Sequence, residues 1–157
     1  MAIVPETVLK ACPIFKGFTD TGIAIFATIA VPRAFPKGTQ LFTEGKKGES
    51  CLIVGEGTVR LSAKNQAGEE ISLGDVGSGE PLGELALVQT GDRLCTATAM
   101  TDVSALEIRH ADFQKLLIQK PQACVKLLMG IVVYFGQKAR DNREMLRTLV
   151  GKAPAAQ

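Results

Sequence analysis

Apolar residues change their spacing twice along the chain. From Pro5 to Val31, the residues Val8, Leu9, Phe15, Phe18, Ile23, Phe26 and Ile29 recur at roughly helical intervals, broken at Cys12 and Pro13. Proline lacks the donor that a helix interior needs, so the pattern predicts two short helices around a turn. From Phe35 the texture becomes brief apolar runs punctuated by glycine: Thr39–Thr43, Cys51–Val54, Thr58–Ala63, Glu70–Leu73, Thr96–Met100 and Val103–Ile108. Short strands at close spacing with glycine turns predict an antiparallel sandwich or jelly roll. The clearest is Thr58–Ala63, where Val59, Leu61 and Ala63 alternate with Arg60, Ser62 and Lys64 to separate a core face from a wet one.

After Arg109 the helical period returns. His110, Ala111 and Asp112 open a short helix through Phe113, Leu116 and Leu117, and Pro121 suits the first turn of a longer one. Leu128, Ile131, Phe135, Lys138, Asn142, Met145 and Leu149 then follow at spacings of three and four, with Leu127, Val132, Leu146 and Val150 beside them. That is a coiled-coil-like stripe. A helix from 121 to 150 would be about 45 Å long, more than a domain of this size covers by itself. Part of it is therefore expected to pack on a second copy, giving a homodimer through the C-terminal helix. Gly130 and Gly136 interrupt the stripe at about 1 kcal/mol each relative to alanine, and mark kinks or close helix contacts.

The expected organisation is one domain over residues 1–157, because this length suits a single hydrophobic core. It divides into an N-terminal helical segment (1–34), a β-barrel (35–109), C-terminal helices (110–150) and a tail (151–157). Charged residues make up 22% of the chain and the net charge is +2, so no nucleic-acid-binding surface or acidic disordered segment is announced. There is no apolar run of about eighteen residues, and the start MAIVPETVLK lacks the features of a signal peptide. A soluble, cytoplasmic protein without membrane association is expected. Cys12, Cys51, Cys95 and Cys124 stand singly in apolar surroundings, which favours reduced core thiols over disulfides or a zinc site. One histidine, His110, is too few for the metal sites of jelly-roll enzymes, and four cysteines on distant elements do not make an iron–sulfur site. No metal, cofactor, catalytic residue or enzymatic activity is expected.

One stretch asks for more than packing. Residues 79–95, GEPLGELALVQTGDRLC, set Glu84 and Arg93 among apolar neighbours. A buried charge without a partner is costly, so each must meet one inside the chain or in something bound. The run LGELALVQTGDRLCTATA resembles the phosphate-binding cassette of cyclic-nucleotide-binding domains, the module of the catabolite activator protein, protein kinase A regulatory subunits and cyclic-nucleotide-gated channels. Gly83 and Arg93 keep that family's ten-residue interval. FPKGTQLFTEGKKGESCLIVGEGTVRLS is similar to the family's glycine-joined strands, and VLKACPIFKGFTDTGIAIFATIA and HADFQKLLIQKP to its flanking helices. The resemblance covers about residues 7–150.

The resemblance implies a mainly β fold, an antiparallel jelly-roll barrel flanked by N-terminal helices and a long C-terminal helix. It implies cAMP or cGMP as ligand, with Arg93 on the phosphate and Glu84 on the ribose 2′-hydroxyl. The chemistry agrees: a guanidinium offers two parallel donors to phosphate oxygens, and an ionised acceptor bonds a hydroxyl strongly. Gly83 permits close backbone approach, and a short helix starting near Glu84 would aim the N–H groups of Leu85 and Ala86 at the phosphate. The competing internal reading is a Glu84–Arg93 ion pair in a domain that has lost binding.

Three positions depart from the family pattern. Asp92 replaces the usual proline, and either weakens phosphate binding or faces solvent. Leu94 stands where a small residue is usual and bears on ligand fit. Cys95, at a position the resemblance assigns to base selection, carries a weak donor that leaves cAMP and cGMP both open, with a slight lean to cAMP. A cyclic dinucleotide would need a second phosphate partner, for which Arg33 and Arg60 are available unless they simply face water.

In the family, the long helix closes over the base. Its counterpart here puts Asn142, after Asp141, either at the base or at a register-setting position of the coiled coil. Tyr134 and Phe135 either stack on the base or fill the core, the core being favoured for Phe135. Only seven residues follow Val150, which leaves a DNA-reading helix no room, so direct DNA binding is not expected. The function expected is a regulatory receptor that moves its C-terminal helix on binding and signals to an unknown effector protein. The alternative is a ligand-free interaction scaffold on the same fold.

Overall fold

The computed structural model describes residues 2–144 and Arg147. Met145, Leu146, Leu149, Val150 and the tail, which the sequence assigns to the end of the long helix and beyond, lie outside the described residues. Helices α1 (Pro5–Ala11) and α2 (Asp20–Ala27) flank a single 3₁₀ turn at Pro13–Phe15, as the Cys12-Pro13 break predicts. Thr19 starts α2 by accepting the Gly22 N–H at 3.1 Å.

Ten strands follow among the described residues: β1 (Ala30–Phe35), β2 (Gln40–Phe42), β3 (Lys47–Gly48), β4 (Ser50–Glu56), β5 (Val59–Lys64), β6 (Glu70–Val76), β7 (Pro81–Leu82), β8 (Gly91–Asp92), β9 (Thr96–Ala99) and β10 (Val103–Arg109). They pair antiparallel, in the orders β1-β10-β4-β7 and β2-β9-β5-β6, with β3 and β8 as a separate ladder. This is the expected jelly-roll architecture, except that the sheets do not close into a barrel.

Strand β1 lies inside the segment 1–34 expected to be helical. Pro32 and Arg33 interrupt its apolar pattern and most of it is exposed, so what makes it a strand is its register with β10, from Ala30↔Ile108 to Phe35↔Val103. The two-residue strands β3, β7 and β8 are too short for any periodicity to announce.

Strands β4 and β10 at the centre of the first sheet are buried on both faces. Cys51, Ile53, Leu106 and Ile108 meet the helices, packing with Leu9, Phe15, Phe26 and Phe113. Leu52, Val54, Val103 and Ala105 turn the other way and meet Val59, Ala97 and Ala99 of the second sheet. Each large buried side chain contributes about 1.5–3 kcal/mol of transfer free energy, so this two-sided burial makes the first sheet the frame. The second sheet is thinner in cover: β6 is exposed from Glu70 to Asp75.

Helix α4 (His110–Gln119) leads into α5 (Pro121–Asp141). Cys124, Leu127 and Ile131 bury against the chain's own core, and Leu128, Tyr134 and Phe135 pack beside them. The stripe Leu128–Ile131–Phe135, read from sequence as a seam for a second copy, thus faces inward. A different face carries exposed apolar residues: Val125, Met129, Val132 and Val133. Gly130 is the close contact of the two possibilities, because a Cβ there would collide with the Ile14 carbonyl oxygen. No described helix is long and apolar enough to cross a membrane.

Candidate functional site

The cassette runs from β7 through a one-turn helix, α3 (Leu85–Val88), into β8. Two side chains from α4 fasten α3 in place. His110 Nδ1–H donates to the Ala86 carbonyl at 2.8 Å, and Gln114 Nε2 donates to the Leu87 carbonyl at 3.2 Å. The lone histidine is therefore a brace for the cassette.

Arg93 is held on several sides. Its backbone N–H donates to the Lys46 carbonyl at 2.8 Å, and its carbonyl accepts from Gly45 N–H at 2.9 Å. Its Nη2 donates to the Ser50 carbonyl at 2.7 Å, and the guanidinium carbon sits 4.3 Å from the centre of the Phe42 ring. Two glycines leave room for the side chain: a Cβ on Gly48 would stand 2.5 Å from Arg93 Nε, and one on Gly83 would collide with Nη1. Gly83 also has φ +68°, a left-handed conformation that favours glycine. Arg93 Nε is buried with no hydrogen-bond partner among the described residues. Burial lowers the Arg93 pKa, opposed by the fields of Cys51, Cys95, Glu107 and Glu84. Arginine stays charged under such a shift, so a guanidinium remains at the site.

Glu84 precedes α3 and is partly buried. Burial raises its pKa, against the lowering effects of its own backbone N–H, Lys138 and Arg93. The internal Glu84–Arg93 ion pair is not formed: neither residue takes part in an ion pair among the described residues. Four residues earlier, Glu80 is fully engaged, with Oε1 3.3 Å from Lys138 Nζ and Oε2 accepting the Gly77 N–H at 2.8 Å. This pair ties α5 to the start of the cassette.

The other expected residues divide. Leu85 is half exposed, but the Ala86 N–H donates to the Gly83 carbonyl at 3.1 Å and is not free as a one-turn helix start suggested. Cys95 is half-buried and its thiol is pushed up by burial, with Arg93 opposing. Leu94 is 78% exposed. Asp92 faces solvent beside Lys47 on the β3–β8 ladder. Asn142 caps the C-terminus of α5, its N–H donating to the Lys138 carbonyl at 3.0 Å, with the residue exposed. All four thiols are free, and burial pushes Cys12 up to about 12.

Sequence reasoning passed over Phe42 and Ser50, and took Gly48 only as a strand-joining glycine and His110 only as a helix-opening residue. Gly48 and Ser50 bracket Glu49 in KKGES, but a backbone carbonyl as partner and a missing Cβ as a slot leave no side-chain signal. Both extra arginines are occupied: Arg60 is bidentate to Asp75 at 2.8 and 3.0 Å, and Arg33 lies 3.5 Å from Glu107.

The fold is thus a jelly roll in which a half-buried arginine, lodged against Gly48 and Gly83, shares one cassette with the partly buried Glu84 carboxyl. Residues 32–120 match the cyclic nucleotide-binding domain family, and the chain belongs to that family. It is 29% identical over 113 residues to the cyclic AMP receptor protein of Thermus thermophilus, a match covering 72% of this chain and 52% of that protein. The chain therefore spans about half the length of the curated relatives it matches. Among solved structures, the N-terminal domain of a transcriptional regulator from Streptomyces coelicolor superposes with TM-score 0.75 at 32% identity, covering 83% of this chain and 94% of that one. The regulatory domain of Toxoplasma gondii PKA with cAMP gives TM-score 0.64 at 26% identity, covering 71% of this chain and 42% of that one. These relatives are regulators and binding domains.

Proposed function

We propose that the chain is a receptor for a cyclic mononucleotide, cAMP ahead of cGMP, that signals occupancy to an effector protein through the position of α5. The observation that carries the reading is Arg93, a clamped guanidinium without a carboxylate partner among the described residues. In this reading Arg93 takes the ring phosphate together with the Leu85 N–H, and Glu84 accepts the ribose 2′-hydroxyl. Gly83 admits the phosphate close to the backbone, Ala86 helps shape the α3 turn, and Leu94 and Cys95 border the ligand. Asn142 reaches the base when α5 closes. The preference for cAMP draws on the names of the relatives. A cyclic dinucleotide is disfavoured because Arg33 and Arg60 already hold carboxylates.

Ligand shifts the helix only as far as it binds one position better than the other. The Lys138–Glu80 contact couples α5 to that shift, since it joins the helix to the start of the cassette. The homodimer through α5 in this reading uses the helix's exposed apolar face, Val125, Met129, Val132 and Val133. Titration calorimetry with cAMP, cGMP and a cyclic dinucleotide tests the reading. Saturable binding of a mononucleotide is expected; no binding by any of them would overturn it and favour the interaction scaffold.

A further inference from the structure

We propose that Phe42 is a positioning residue for Arg93, its ring face setting the plane in which the guanidinium presents its donors. The role of Arg93 toward a nucleotide rests on the receptor reading above; the way Arg93 is held does not. Four residues define the guanidinium's slot. The Phe42 ring lies under it at 4.3 Å, the Ser50 carbonyl accepts from Nη2 at 2.7 Å, and Gly48 and Gly83 leave space where any side chain would push it out. A ring face attracts a cation most along its normal, so the ring restricts tilt, which a single hydrogen bond leaves free.

Phe42 is suited to this by its own support. It ends β2 opposite Ala97 of β9 and packs against the cluster between the sheets, so the ring stands on a rigid element. The turn that follows it also holds the Arg93 backbone through Gly45 and Lys46. The same short segment therefore fixes both ends of the arginine. A residue that only filled the core would owe nothing to the charge above it. Phe42 has one side on the core and one on the cation.

The test has two arms. In the ligand-free protein, hydrogen exchange at Arg93 Nε–H is followed by NMR with exposed Arg140 as reference. Phe42→Leu, which keeps apolar bulk and removes the ring face, should speed Arg93 exchange at least about fivefold, while Phe42→Tyr leaves it near wild type. Unchanged exchange in Phe42→Leu overturns the proposal. In the second arm, Phe42→Leu should weaken cAMP binding about five- to tenfold, with Phe42→Tyr within about twofold of wild type. In an Arg93→Gln background the same Phe42→Leu change should cost less than about twofold. Equal losses in both backgrounds would make Phe42 a core residue and nothing more. Wild-type protein that binds neither cAMP nor cGMP would remove the receptor reading, and the exchange arm would still decide for or against the positioning role.

Discussion

The outer face of the second sheet and the cassette use the same residue types to opposite ends. On the sheet, Arg60 closes two hydrogen bonds on Asp75. In the cassette, Arg93 and Glu84 stand close enough to feel each other's field and still form no ion pair. Water and salt screen an exposed pair such as Arg60–Asp75, so this pairing is surface chemistry that adds little to stability. Arg93 is different because its surroundings are built around it. Two missing side chains, one backbone carbonyl and one ring hold it in a half-buried position, an expense that packing alone does not require.

Substitutions break that contrast in graded steps. Gly83→Ala should act most strongly, since it asks an alanine to adopt φ +68° and to occupy the space of Arg93 Nη1. The left-handed conformation alone costs roughly 1–2 kcal/mol, which thermal unfolding would register, and nucleotide binding should be lost in calorimetry. Retained binding at wild-type strength would show that the slot is not needed.

Glu84→Gln comes next and separates the two cassette carboxyls. Burial raises the Glu84 pKa, so its protonated form is the one the fold tolerates best. Its contribution is fullest below the ordinary carboxylate range and is lost as pH rises through the raised value. The stability advantage of Glu84→Gln over wild type should therefore grow from acid to neutral pH in paired melts. A difference independent of pH would contradict the burial account. Glu80→Gln should instead lower stability slightly, by losing the Lys138 and Gly77 contacts.

Arg60→Ala should act least, leaving the denaturant midpoint close to that of wild type. A larger loss would mean the sheet pair is structural after all.

Much of this was legible in the residues. The breaks at Pro13 and Pro121 follow from backbone chemistry, and the Gly83–Arg93 interval carried the family resemblance, but the alternation read into β5 holds only at its start: past the register shift between Leu61 and Ser62, Ser62 is buried and Ala63 is only partly so. Other features were hidden for physical reasons. Strand β1 owes its form to β10 rather than to its own pattern. A stripe at spacings of three and four states that one helix face is buried, but cannot say whether its cover is the same chain or a second one; here Ile131 is covered by the chain's own core. The Arg93 clamp relies on a carbonyl at Ser50 and on absent atoms at Gly48, neither of which a residue type encodes. So short a helix closes its first bond onto Gly83, which is why the Ala86 N–H is not left free for a ligand.

The most direct measurement is a cAMP titration run side by side on wild type, Arg93→Ala and Arg60→Ala. Arg93→Ala should lose about 1.5–3 kcal/mol or more of binding free energy, as the loss of a charged hydrogen bond does, and Arg60→Ala should match wild type. Equal affinities in all three proteins would mean that the clamped guanidinium is not where the anion binds.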